Sequence, residues 1–481
     1  MSSKITKIKA VSNFTWRFAE RIGEQSVSFI VSIILARLLL PEEFGMVAIV
    51  VAFTAMINVF VDSGLSSALI QKEKADDIDF SSVFYANIVL SLMLYIAIYF
   101  SAPFIAGFYK NQEMILIIRI LSLTLIVSGI RNVQNAYVSR QMSFKKFFYA
   151  NLSGTVISAV VGIPMAYFDY GVWALVSYKM VNVMVSAIIL WFVVKWRPQK
   201  VFSIFRLREL LSYGGKIFAS KLLDSAFNNL IQLCVGQFYS MSDLAFFNRG
   251  KSLPFLLINN INSSIDNILF PLLSKEQSSI KSVKAMTKRV LKISSYIIWP
   301  VMFGMCAIAE PLVIVLLTEK WVEIVPYLRI FCLAYALWPI HTANLSAIKA
   351  LGKGGLYFWM TVVKIMIGTI IFFIMLQYGP LAIAMGVLLS GLIGSFINAY
   401  PSKKLLQYDY IEQIIDIFPI AVLSTVMFLV VYPINILGMN SMVTLVIQII
   451  TGVLVVVIGS VIFKMESFSY VFMLVKSYIK K

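Results

Sequence analysis

The chain of 481 residues carries 41 lysines and arginines against 23 aspartates and glutamates, a formal net charge of +18, yet 60% of its residues are hydrophobic. That apolar content excludes a string of soluble domains and predicts a polytopic membrane protein, so the basic excess is weighed first against the membrane and not against nucleic acid. Three cysteines, Cys234, Cys306 and Cys332, lie in apolar stretches without paired spacing, which argues for packing and against a disulfide framework or zinc site.

Lys4, Lys7 and Lys9 precede a first apolar run too long for a signal-peptide core, with no small-residue cleavage site after it, so the first helix is expected to be retained. Reading apolar runs of about 20 residues as spans places helices near 14–40, 45–70, 81–105, 113–130, 147–168, 172–194, 210–239, 244–273, 290–317, 324–347, 356–376, 380–400, 411–436 and 442–463. The expected fold class is all-α, a polytopic membrane protein with about fourteen transmembrane helices. With the amino terminus in the cytoplasm, the basic clusters fall on one side: Lys72 and Lys74, Arg131 to Lys146, Lys195 to Arg208, Lys275 to Lys292, Lys349 and Lys353, Lys403 and Lys404, and Lys464 to Lys481. Only Lys110 and Lys320 fall outside, so both termini are expected to be cytoplasmic. Trp173, Trp299, Trp321 and Trp338 lie near span ends, where an interfacial belt is expected.

An internal repeat emerges at an offset of 200 residues. Arg21 stands opposite Lys221, Glu24 opposite Asp224, Leu40–Phe44 opposite Ser240–Leu244, and Asp62–Ser63 opposite Asn262–Ser263. An even number of spans separates the copies, so both halves would share one orientation, the parallel-repeat arrangement in which a substrate path lies at the repeat interface. The expected division is a six-helix lobe over 1–200, a pseudo-symmetric second lobe over 201–402, and two additional helices with a cytoplasmic tail over 403–481.

The first span opens with Arg17, Glu20, Arg21 and Glu24, which share one helix face. Such a stripe cannot face lipid, where a central charge costs about 2.5–3.5 kcal/mol. The seventh span repeats the theme with Lys216, Ser220, Lys221, Asp224, Asn228 and Gln232, and the eighth carries Arg249, Lys251 and Asp266. A shared aqueous cavity between the halves would solvate these faces. Because cations predominate, the cavity is expected to take an anion. Arg17, Arg21, Lys216, Lys221, Arg249 and Lys251 are the candidate phosphate-binding set, the arginines by bidentate contact. Glu20, Glu24, Asp224 and Asp266 either pair with those cations or couple ions, and Ser220, Asn228 and Gln232 are candidates for a sugar path. The single His341 cannot form a metal cluster and is expected to be a packed or hydrogen-bonded residue. Gly352–Gly355 lacks the spacing of a phosphate-binding loop and is expected to be a tight turn. Neither a catalytic constellation nor a cofactor or metal site is indicated.

Ala36–Gly45, reading ARLLLPEEFG, resembles the ARLL-P-x-x-F/Y-G signature of bacterial polysaccharide flippases of the Wzx type. Gln141–Lys146 and Tyr170–Val176 resemble the lipopolysaccharide and teichuronic-acid exporter branch of the same polysaccharide transporter family. The resemblance implies a multidrug-exporter-like fold of two six-helix lobes plus two helices. It also implies a substrate, an undecaprenyl-pyrophosphate-linked oligosaccharide moved from the inner to the outer leaflet of the bacterial cytoplasmic membrane by alternating access. Membrane lipid, a polymerase and other polysaccharide assembly proteins would be its partners. Alternative readings are an ion-coupled antiporter of the multidrug-exporter kind, which the basic cavity disfavours, and a membrane-embedded glycan-processing enzyme, for which the chain offers neither a catalytic histidine nor a large outer loop.

Overall fold

The computed structural model describes the backbone of residues 2–62, 64–73, 75–470 and 473; side chains are not described at 2–15, 17–19, 213, 216, 217, 220, 224, 227, 228, 267, 268, 270 and 271. The described residues are overwhelmingly α-helical. In chain order the first helices are α1 (Ser2–Leu38), α2 (Pro41–Asp62), α3 (Leu65–Gln71), α4 (Asp77–Phe108), α5 (Met114–Arg140), α6 (Lys145–Tyr167), α7 (Val172–Val193), α8 (Ile204–Phe238) and α9 (Met241–Lys275). The remainder are α10 (Ile280–Ala307), α11 (Ala309–Leu317), α12 (Ile324–Ala336), α13 (Trp338–Ala350), α14 (Gly354–Met375), α15 (Pro380–Leu406), α16 (Tyr410–Val431) and α17 (Ser441–Ile462).

Among the described residues, eleven stretches are long and apolar enough to cross a bilayer, one of them formed by α12 and α13 together. Of the remaining helices, α1, α8 and α9 have the length to cross, at 37, 35 and 35 residues, and these are the three that carry the charged faces. With them, the expectation of about fourteen spanning elements holds. Several expected spans are broken. The second divides at Gly64, whose φ of 69° lies in the left-handed region. The tenth divides at Leu337, before Pro339.

The chain separates into two compact units, Met1–Ala245 and Phe246–Lys481. In the first unit α8 packs on α2 and α3. Phe60 and Phe218 meet edge to face at 5.2 Å, and Gly64 and Gly214 bring their backbones into contact where a Cβ would not fit. The division at residue 200, drawn from the repeat, is a proposal of internal duplication and does not coincide with this packing boundary. Helices α6 and α7 approach through Gly154, Ser158 and Gly162, a small-residue stripe at four-residue spacing. A Cβ on Gly154 would run into Ser186, and one on Gly162 would sit 2.9 Å from Tyr178. Below them an aromatic cluster gathers Trp196 against Phe80, Phe84 and Tyr137.

In the second unit a buried polar network ties three helices. Asn344 of α13 donates to Gln413 of α16 at 2.8 Å, and Ser402 of α15 donates to Asn344 at 2.6 Å. Such a fully satisfied network fixes helix register in a medium that offers no water. Trp321, expected in the interfacial belt, is instead completely buried, edge-on to Phe246 at 6.0 Å. It lies in the short turn before α12, which folds it into the core. His341 shares a 2.7 Å hydrogen bond with Asn398, and Gly352 (φ 70°) makes the tight turn before α14.

Candidate functional site

The polar face of α1 is held by α6, on which Trp16 packs edge to face against Phe148 at 5.4 Å. This places Glu20 inside the first unit, only 4% exposed. Asn151 Nδ2 donates to Glu20 Oε1 at 2.8 Å, and Arg131 Nη2 donates to Asn151 Oδ1 at 2.7 Å. Glu20 and Glu24 both act electrostatically on Arg131. The polar track continues along α6 and α7. Thr155 Oγ1 donates to the Asn151 carbonyl at 3.0 Å and accepts from Asn182 Nδ2 at 3.2 Å. One turn further along α6, Ser158 Oγ donates to the Thr155 carbonyl at 2.9 Å. Four helices thus contribute to one polar interior within otherwise apolar spans.

Arg131 was not among the candidate residues; its position at the end of an apolar run places it in a loop by hydropathy alone. The structure carries α5 on to Arg140 and brings Arg131 inward, with its Nε buried and lacking a hydrogen-bond partner among the described residues. A signal was present. Leu125, Gly129, Val133 and Ala136, all buried, continue the helical period past Arg131.

The other candidates fall as follows. Arg21 is exposed and Glu24 half-buried. Lys221 forms an ion pair with Asp62 at the end of α2, with Ser67 Oγ at 3.5 Å. Gln232 is half-buried. Arg249 places its guanidinium 5.9 Å from the Trp321 ring centre, and Lys251 is half-buried on the same helix. Asp266 accepts from Ser346 and lies 3.4 Å from Lys349, both of α13. The side chains of Arg17, Lys216, Ser220, Asp224 and Asn228 lie outside the described residues. The structure therefore joins Glu20 and Glu24 to Arg131, Lys221 to Asp62 and Asp266 to Lys349. An arginine with an open donor, two carboxylates and a line of hydroxyls thus make a charged, polar interior in the first unit.

The fold defines a polytopic all-α membrane protein. The chain superposes on a structure of the lipid II flippase MurJ in an inward closed conformation with a TM-score of 0.73 at 17% identity, over 95% of this chain and 98% of that one. An inward-facing multidrug resistance MATE family transporter of the MOP superfamily gives 0.62 at 14% identity, over 80% and 94%. The family described as Polysaccharide biosynthesis protein matches residues 34–326, and the chain belongs to it. Among relatives, the teichuronic acid biosynthesis protein TuaB of Bacillus subtilis (strain 168) is 24% identical, over 88% of this chain and 86% of its own. The succinoglycan biosynthesis transport protein ExoT of Rhizobium meliloti (strain 1021) is 24% identical over 76% and 74%, and the lipopolysaccharide biosynthesis protein WzxC of Escherichia coli (strain K12) is 22% identical over 85% and 84%. The three stretches that resemble polysaccharide flippases all lie inside the matched region, and the resemblance is borne out.

Proposed function

We propose that this protein is a flippase for surface polysaccharide export, which moves an undecaprenyl-pyrophosphate-linked oligosaccharide from the inner to the outer leaflet of the bacterial cytoplasmic membrane. The observation that carries the reading is the placement of charge: among the long helices, α1, α8 and α9 are the three set apart from the apolar spans, and they hold Arg21, Lys221, Arg249 and Lys251. Polysaccharide-transport relatives and a flippase-like fold support the same class.

In this reading Arg21, Lys221 and Arg131 of the first unit and Arg249 and Lys251 of the second each contact the pyrophosphate in the course of transport, and Ser220, Asn228 and Gln232 line the sugar's route. Glu20, Glu24, Asp224 and Asp266 set the charge balance of the path. Movement is by alternating access, with both termini in the cytoplasm. The chemistry is transport and not bond making. With a negative interior, outward movement of a pyrophosphate bearing about two negative charges releases about 4–5 kcal/mol per 100 mV, so membrane potential alone is a sufficient driving force.

The test is glycan export in a strain that depends on this protein. Arg21→Gln and Arg249→Gln, at normal protein levels, should abolish surface glycan and accumulate the lipid-linked precursor. Undiminished surface glycan in both would overturn the reading.

A further inference from the structure

Away from the charged path, a groove of about 660 Å³ opens where the first half of α10 meets the turn that follows α17. One wall is Lys288, Arg289 and Lys292; the other is Lys464, Ser467 and Tyr470. The walls are fixed to each other. Tyr296 of α10 and Ser460 of α17 share a buried 2.7 Å hydrogen bond, and Met465 packs into a cluster with Tyr296, Ile420 and Leu423.

The four cations are not equivalent. Lys288 is neutralised by Glu412 at 3.2 Å and Asp416 at 3.0 Å, and Lys292 by Asp416 at 3.4 Å. Arg289 and Lys464 have no carboxylate within ion-pair distance among the described residues, although Glu466 also lines the groove. Arg289 lies 4.3 Å from the centre of the Tyr470 ring, which orients its guanidinium. The level in the membrane is set by sequence: the apolar run of α17 ends at Ile462, and that of α10 begins at Ile293. The groove therefore sits at the membrane–water boundary, with Ile293 and Met473 as apolar lining.

The geometry points to a binding site for the headgroup of an anionic phospholipid of the bilayer. Two unneutralised cations and the hydroxyls of Ser467 and Ser469 answer a phosphodiester, and the apolar lining answers the start of an acyl chain. A zwitterionic lipid would bring its ammonium group beside the two unneutralised cations, Arg289 and Lys464. The groove uses α10 and the end of α17, whereas the cargo reading uses α1, α8 and α9, so the two sites fail independently.

The experiment uses the purified full chain in neutral detergent, with phosphatidylglycerol, phosphatidylcholine or inorganic phosphate added, read by thermal melting and by native mass spectrometry of bound lipid. Phosphatidylglycerol should raise the melting midpoint and remain bound, while the other two should do neither. Arg289→Gln with Lys464→Asn should weaken phosphatidylglycerol binding by about tenfold or more. Lys464→Asn alone, at an exposed left-handed turn position (φ 48°) that asparagine tolerates, should show a partial loss without a folding defect. Equal binding by wild type and both variants, an equal shift with inorganic phosphate alone, or displacement of phosphatidylglycerol by undecaprenyl pyrophosphate would each overturn the proposal.

Discussion

Glu43 lies against Gly171. Its Oε1 sits 2.5 Å from the place a Cβ on Gly171 would occupy, while its Oε2 accepts the Leu40 N–H at 2.7 Å. The contact joins two of the three stretches, Ala36–Gly45 and Tyr170–Val176, that carry the family resemblance in sequence. Gly171 is also held at φ 56° and ψ −131°, a conformation that side chains resist. Gly45 in the first stretch meets the Met241 backbone so closely that no side chain fits. The family signature is thus a packing device. Gly171→Ala is expected to cost about 1–3 kcal/mol, read as a lower melting midpoint of the purified protein; an unchanged midpoint would show the contact to be incidental.

The bridge from Arg131 through Asn151 to Glu20 yields a second prediction. Arg131→Gln removes the charged donor to Asn151 and a cation that acts on Glu20 and Glu24, and losing a hydrogen bond made by a charged group costs about 1.5–3 kcal/mol. Glu20→Gln keeps an acceptor for Asn151, so its stability should fall little. Transport in the Glu20→Gln protein then separates the two roles of this carboxylate. Loss of pH-gradient dependence with a normal melt means ion coupling, whereas normal transport means that Glu20 only positions Arg131.

Lys221 and Asp62 call for a double-mutant cycle. Both are partly exposed, at 42% and 21%, so the coupling energy in melting should be no more than about 1 kcal/mol. Lys221→Gln with Asp62→Asn should recover the stability lost by either change alone. Transport should not recover, because the proposed substrate contact is gone. Recovery of both would make Lys221 purely structural.

How much of this was legible in the sequence differs from element to element. At one turn the offset of 200 recurs down to single hydrogen bonds. Helix α1 ends at Leu38 and α8 at Phe238, and α2 and α9 begin at Pro41 and Met241. Asp243 accepts the Ser240 N–H at 3.1 Å, as Glu43 does that of Leu40. Turn chemistry is local, so sequence carries it. Charge pairing is not local. Lys221 finds Asp62 and Asp266 finds Lys349 across helices, and no i, i+3 spacing announces such partners. Arg131 and Trp321 were misplaced for one reason: hydropathy ends a span at the first polar residues, whereas tertiary neighbours can bury them.

The junction before α4 gives a pH prediction. Asp76 caps that helix, accepting the Asp79 N–H at 2.9 Å. That backbone bond, aided by Arg206, holds the Asp76 carboxyl below its usual range despite some burial. A depressed value means stability that is full above the unfolded-state value of about 3.9 and is lost as pH falls through the lower folded value. Asp76→Ala should therefore lower the melting midpoint at neutral pH, by about 1 kcal/mol, and lose less than wild type on acidification. Lys72 behaves in the opposite sense. Burial would lower it, but Glu209 at 3.0 Å and Asp79 at 3.1 Å outweigh that and hold the ammonium above its ordinary value. Its contribution is full below about 10.4 and lost as pH rises through the raised value. Parallel acid and alkaline melting curves for wild type and variants would contradict either assignment.

The central claim is met most directly by proteoliposomes that contain the purified protein and a fluorescent undecaprenyl-pyrophosphate-linked oligosaccharide, with potential and pH gradient imposed separately. The account predicts that a potential positive on the destination side speeds translocation, that reversing its sign slows it, and that Arg21→Gln with Arg249→Gln abolishes both effects. Translocation indifferent to the sign of the potential, or unchanged in the double variant, would contradict it.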